Sequence, residues 1–451
     1  MLGTRRQFLQ LVASSVPAVV AGAAAIVPAP SRAAAAPRVN GDRLRAHLEG
    51  LSAFGRLSGG SFADGVSRVA YSEADVAGRQ YVIGLMKEAG LAARIDAAGN
   101  ILARRQGTEA MAPILFGSHV DSVPNGGNFD GDLGTLAAIE AIQSLSEAKL
   151  TTRHPLEVVV WANEEGIAYG SGLDGSRAAA GELRDAELEQ VWNGVRKSDA
   201  IRCIGGDPDR IAEARRPTRS FHCYLELHIE QGGILDKAGI PVGVVEGIVA
   251  IDRYEATVRG FANHAGTTPM PDRKDALVAA SELTLAVRDI VTREPGRQVG
   301  TVGQLNVTPN APNVVPGVVR MTIELRDLSA EKIARLAKAV RARAREIAAR
   351  SGTDIEITLT SRHEAAIASP VVQAAIERAA DALGLAHTRL PSGAGHDAQM
   401  MARLGPMGMI FVPSVGGISH SPKELTTWEG CARGAAVLLQ SVLEMDGTTV
   451  T

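Results

Sequence analysis

The chain has 451 residues, 45% of them hydrophobic and 22% charged, which predicts two or three globular domains around a sizeable core. Its formal net charge of −3 excludes the Lys/Arg excess that a phosphate-binding face brings, and with it a nucleic-acid partner. Cys203, Cys223 and Cys431 are too few and too far apart for a disulfide framework; one bridge could form, and buried free thiols are the expectation.

Thr4-Arg5-Arg6-Gln7-Phe8-Leu9 opens an apolar, alanine-rich segment from Leu11 to Val27, and Ser31 to Ala36 offers small-residue cleavage positions before Pro37. Paired arginines ahead of a moderately apolar stretch describe a twin-arginine export signal over residues 1–36. Ser14, Ser15, Pro17 and Gly22 interrupt that stretch, which argues against a permanent membrane anchor. The expectation is an exported, periplasmic protein that passes the twin-arginine machinery already folded.

From Gly41 the pattern reads helix, loop, helix, strand. Leu44, His47, Leu48 and Leu51 recur at helical spacing, with His47 as a packing residue. Tyr81, Leu85, Met86 and Ala89 mark a second helix closed by Gly90, followed by short strands at Ala92–Ile95 and Asn100–Ala103. The apolar run Ile114–Phe116 predicts a buried strand; His119 and Asp121 alternate beyond it, and a Gly/Pro/Asn-rich loop returns Asp130 to the same point. Imidazole plus carboxylate is a ligand set for Zn²⁺ or a neighbouring divalent metal. The Asp121 carboxylate is expected to accept the other ring N–H of His119 and fix its tautomer. A satisfied core histidine is the alternative.

Thr135–Leu145 reads as a helix and Leu156–Trp161 as a strand buried in a parallel sheet, ending in Asn163-Glu164-Glu165-Gly166. One of the two glutamates can ligate a metal while its neighbour acts as general base; a solvated acidic turn is the alternative. After a long helical and loop segment, Phe221–Gly232 alternates so that Glu226, His228 and Glu230 share a face that begins at His222. Polar groups on a buried face are costly unless they pair or ligate, which makes His228 a third ligand and leaves His222 nearer the rim. Each candidate sits at the carboxyl end of a strand, where α/β sheets bind their ligands.

Residues 240–357 read as a separate unit: strands through Ile240–Phe261, a helix over Asp272–Val291, strands Val299–Val307 and Val318–Leu325, a helix over Ser329–Ala349 and a strand at Asp354–Leu359. This alternation fits an open-faced α+β sandwich inserted between two parts of a metal-binding α/β domain, 37–239 and 358–451. His264 lies on a Gly/Thr/Pro loop, where an exposed imidazole tends to be functional. Arg326, followed by Asp327, has the fork that matches a substrate carboxylate or could form a plain ion pair. The chain then gives a helix over Val371–Leu383, a glycine loop with His396 and Asp397, and a strand Met409–Val412 leading to His420. His396 with Asp397 could be a structural histidine at an N-cap. His154, His363 and His387 fall outside any motif.

The strings GSHVDSVPNGGNFDGDLG, WANEEG and ELHIEQG, with Gly65–Ser72, Gly99-Asn100, Asn263–Met270, Gly395–Ala398 and Ser419–Glu424, resemble the M20 metallopeptidase superfamily. The likeness is to its amidase/hydantoinase-carbamoylase branch, which holds N-carbamoyl-L-amino-acid hydrolases, β-ureidopropionases and allantoate amidohydrolases. It covers nearly everything after the signal and implies an α/β, zinc-exopeptidase-like metal domain, with the insertion as lid and homodimer contact. It further implies two divalent ions per subunit, Zn²⁺, Mn²⁺ or Co²⁺. His119 and His228 would hold one, Glu165 and His420 the other, and Asp130 would bridge them. Glu164 would be the general base, with Asp121 and His396 supporting the ligands. His264 would stabilise the oxyanion, commonly in the partner subunit's site, and Gln231, Asn313 and Arg326 would bind the substrate.

The resemblance thus implies a metal-dependent amidohydrolase that cleaves a linear amide or ureido C–N bond, foremost of an N-carbamoyl-L-amino acid. A small carboxylate-bearing substrate is the expected partner. Allantoate or another ureide is the nearest rival. An aminoacylase or dipeptidase fits less well, because superfamily peptidases carry an acidic ligand where this chain has His228. A periplasmic binding protein without turnover would be expected to lack a ligand or Glu164, and all are present.

Overall fold

The computed structural model describes residues 37–450, so the expected export signal lies outside the described residues. Ile114–His119 and Leu156–Trp161 are buried at every position, since apolar side chains on both faces of a strand need cover on both sides. They lie within a nine-stranded sheet. Its order is Ala93–Ile95, Ile101–Arg105, Leu156–Trp161, Ile114–His119, Cys223–Ile229, Met407–Val412, Val242–Ile248 and Ala366–Ile367, with His387–Ser392 also paired to Val242–Ile248. Four neighbours, from Leu156–Trp161 across to Met407–Val412, run parallel. Their carboxyl ends therefore open on one side of the molecule; His119 and His228 lie at the ends of two of them, and Asp130, Glu165 and His420 in the segments beyond.

Asp132–Glu147 crosses from the His119 strand to the Trp161 strand and is buried along nearly its whole length. It shares the main apolar core with the helix Trp428–Asp446. Arg68 pins its start: the fully buried guanidinium pairs with Asp132 and donates to the carbonyls of Val120 (2.5 Å) and Phe54 (2.8 Å). A buried cation is tolerated there because its donors meet acceptors. The strand end at His119 and the helix after Asp130 are thereby held to one another.

Ala250–Arg259, Val299–Thr308, Val318–Asp327 and Asp354–His363 form a separate four-stranded antiparallel sheet. Helices Ala276–Arg293 and Ala330–Ser351 join it around a second apolar core. The edges of this insertion differ from those expected. Val242–Ile248 belongs to the large sheet, and Asp354–His363 stays in the small one to its end, so the inserted layer spans 250–363 rather than 240–357. Alternation marks a strand without saying which sheet it joins, and here the chain changes sheets at Val249. All three cysteines are free, with Cys223 and Cys431 buried and Cys203 exposed. Among the described residues no helix is long and apolar enough to cross a membrane.

Candidate metal centre

His119 and His228 reach the open end of the parallel strands in matching ways. Nδ1 of His119 lies 3.0 Å from the Asp121 carbonyl, and Nδ1 of His228 lies 2.9 Å from the Ile229 carbonyl. A carbonyl only accepts, so each Nδ1 carries a hydrogen and each Nε2 faces the site. His228 Nε2 is buried without a hydrogen-bond partner. Close approach of the Asp130 loop depends on Gly131, whose φ is +66° and where a Cβ would stand 2.4 Å from the His119 ring.

The two oxygens of Asp130 divide the site. Oδ1 lies 3.0 Å from His228 Nε2 and 3.6 Å from His119 Nε2, whereas Oδ2 lies 3.5 Å from His420 Nε2. Glu165 Oε2 is 3.5 Å from the same His420 nitrogen, and Glu164 Oε2 is 3.7 Å from His119 Nε2. His119, Asp130 and His228 thus form one group of convergent donors, and Asp130, Glu165 and His420 form another.

Charge in this cluster is balanced by protons. Burial raises Glu164 well above the usual carboxyl range against the pull of His119, with Glu165 and Asp397 adding to the rise. Glu165 is pushed up to about 8 by burial and the charge of Asp130. His420 is raised to about 9 by its hydrogen bond to Asp130 and the charge of Glu165. Asp130 stays ionised despite its burial, because His228, His119 and His420 surround it. Carboxyls and an imidazole that gather protons around an ionised aspartate mark a site with too much negative charge for its volume, and divalent cations fit that donor set.

Asp121 does not play the part expected of it. His119 uses the Asp121 backbone carbonyl, and the carboxylate stands 3.8 Å from the ring. Its oxygens instead accept the backbone N–H groups of Glu164 (3.1 Å) and Glu165 (3.2 Å). The chain turns at the strand end and carries the carbonyl, rather than the side chain, to the imidazole. Asp121→Ala is accordingly expected to loosen both glutamates and lower kcat about 10–100-fold. A wild-type kcat would remove this role.

Two residues without an assigned role hold the Asp130 loop. Glu424 Oε1 accepts the N–H groups of Phe129 (3.0 Å) and Asp130 (3.1 Å), and Ser419 Oγ donates to Glu424 Oε2 at 2.7 Å. An acidic residue four positions after His420 was the available signal. Glu424→Ala leaves those buried donors unpaired and is expected to weaken metal affinity about 10–100-fold, read by metal titration, with partial recovery in Glu424→Gln.

A cavity of about 220 Å³ opens over this cluster, with Glu164, Gln231, His396 and His420 in its wall. Gln231 Nε2 donates to Asp130 Oδ2 at 2.7 Å. His396 packs edge-on against His228, with ring centroids 4.5 Å apart, and its Nε2 lies 2.8 Å from Ser392 Oγ; burial and the neighbouring His228 keep it neutral. Asp397 accepts from Ser176 Oγ. Beneath His228, Glu226 accepts from Ser118 and Tyr224.

The remaining candidates are not among the residues that line this cavity. His264 and Asn313 lie together on an exposed ribbon, where Ala265 N–H donates to the Asn313 carbonyl at 2.9 Å. Arg326 does not pair with Asp327, which takes Lys332 instead. Its Nε donates to Glu324 Oε1 and its Nη1 to the Gly393 carbonyl, both at 2.6 Å. That contact brings Arg326 to the glycine loop that leads into the cavity.

Residues 115–444 match the model for peptidase family M20/M25/M40. The chain is 41% identical over 409 residues to an N-carbamoyl-L-amino acid amidohydrolase of Geobacillus stearothermophilus, covering 90% of this chain and 99% of that one. It is 36% identical over 410 residues to a ureidoglycolate hydrolase of Arabidopsis thaliana, covering 89% and 85%. A solved amidase of the hydantoinase/carbamoylase family from Burkholderia multivorans matches with a TM-score of 0.83 at 36% identity, covering 92% of this chain and 100% of that one.

Proposed function

Because this chain belongs to peptidase family M20/M25/M40, within which it is an amidohydrolase, we propose that it hydrolyses the ureido C–N bond of N-carbamoyl amino acids. The observation that carries this reading is the division of Asp130, one oxygen toward His119 and His228 and the other toward His420. It supports two divalent ions, one with His119 and His228, one with Glu165 and His420, and Asp130 between them. Divalent ions held there would supply Lewis-acid polarisation of the carbonyl and acidify a neighbouring water.

Glu164 then takes the proton of the attacking water on a carboxylate oxygen and delivers it to the leaving nitrogen. Asp121 holds the backbone of Glu164 and Glu165 in place. Gln231 and Arg326 orient the substrate, Arg326 by pairing with its carboxylate. The products are the free amino acid, CO₂ and ammonia. His264 and Asn313 act from the partner of a homodimer joined through the inserted layer, which suits their exposure away from the cavity of their own chain. Light scattering tests the dimer, and fractionation of cells tests export by the twin-arginine signal.

Ureidoglycolate is the second reading, since a relative of comparable identity is a ureidoglycolate hydrolase. An ammonia-release screen over N-carbamoyl amino acids, ureidoglycolate, allantoate and dipeptides separates these. Release from the N-carbamoyl compounds is expected, and turnover of dipeptides alone would defeat the proposal.

A further inference from the structure

A second cavity, also about 220 Å³, adjoins the metal centre: Leu173, Ala394 and Gly395 line both. Its inner wall is aliphatic, made by Leu173, Ile248, Val249 and Ile251. Ile248 and Val249 are buried; Arg253, His363 and Glu364 of the lining are exposed and stand at the rim, and Gln399 is half-buried. The opposite side is the stretch Gly393-Ala394-Gly395. A Cβ at Gly393 would meet nothing within 4 Å, and one at Gly395 would meet only Gln399 Oε1, at 3.2 Å. Together the two cavities reach the range of roughly 300–1,000 Å³ typical of small-molecule sites.

The chamber also lies beside the group expected to hold the substrate's carboxylate, because Arg326 reaches the Gly393 carbonyl at 2.6 Å. A compound whose ureido carbonyl lies against Glu164 and whose carboxylate lies near Arg326 has its third substituent free to enter the aliphatic space. Water against the wall of Leu173, Ile248, Val249 and Ile251 finds few polar partners, and a hydrocarbon group displaces it favourably.

We propose that the chamber between Leu173, Ile248, Val249 and Ile251 receives an aliphatic side chain on the carbon that bears the ureido nitrogen. The preferred substrates are then N-carbamoyl amino acids with branched or straight aliphatic side chains, ahead of N-carbamoylglycine and small ureides. This rests on the ureido-hydrolase reading above.

Two measurements test it. Across N-carbamoylglycine, N-carbamoylalanine, N-carbamoylnorvaline and N-carbamoylleucine, kcat/KM of the wild-type enzyme should climb, each added methylene contributing a factor of several and the whole series about 10–100-fold. Ile251→Phe, which narrows the chamber, should cut the leucine-to-glycine ratio of kcat/KM at least tenfold. A flat series, or an unchanged ratio in a folded Ile251→Phe variant, overturns the chamber while turnover of every member keeps the ureido reading intact. If the variant does not fold, the wild-type series decides alone. Absence of ammonia from all four compounds removes the ureido reading and the chamber with it.

Discussion

Glu164→Gln is expected to lower kcat for ureido substrates about 10²–10⁴-fold, the range that a general acid–base group contributes, while metal content stays at the wild-type level. The substitution keeps shape and removes the one property the role requires, an oxygen that accepts and returns a proton. The surroundings of Glu164 suit that role. Its side chain lines the cavity, its backbone is held by Asp121, and Nε2 of His119 lies 3.7 Å from Oε2. The neighbouring glutamate makes the control. Glu165→Gln removes a charge facing His420 and should lower metal content together with activity, a different pattern from the same chemical change one residue away. Full activity in Glu164→Gln would transfer the proton step to another group.

The separation of the two glutamates shows what could be read from sequence. That His119, the glutamate pair, His228 and His420 follow strands was legible, because buried strands are continuous apolar runs and the polar residues that end them stand out. The divided use of Asp130 was legible only through resemblance, since spacing does not say which oxygen meets which imidazole. The role of Asp121 was misread for a physical reason: the choice between its carbonyl and its carboxylate depends on how the chain bends after the strand. Glu424 and Ser419 lie near His420 in the sequence, but the N–H groups of Phe129 and Asp130 that Glu424 accepts are almost three hundred residues away in the chain. The aliphatic chamber had no sequence signature at all. Val249 and Ile251 read as ordinary strand residues until the chain changes sheets at Val249 and the Gly393–Gly395 loop faces the space.

The same electrostatics that hold protons in the cluster predict how the protein answers metal removal. Exhaustive chelation should abolish ammonia release, and Mn²⁺, Zn²⁺ or Co²⁺ should restore it, with the restoring ion set by affinity order and availability. Added metal should also raise the thermal midpoint, since an ion that binds only the folded chain stabilises it by about 2.7 kcal/mol at a hundredfold excess over Kd. Ligands must shed protons to coordinate, so this stabilisation should grow as pH rises through neutrality. Asp130→Asn is the decisive variant. The amide keeps the volume but loses the charge that the three imidazoles surround, and it offers one oxygen where the carboxylate offers two. Activity should fall by at least 10²-fold and the thermal response to metal should shrink toward zero, while the metal-free midpoint should fall, because the imidazoles lose the charge they surround. An Asp130→Asn protein that still binds two ions and gains the wild-type thermal shift would show that the two halves of the site are held together by something other than this carboxylate.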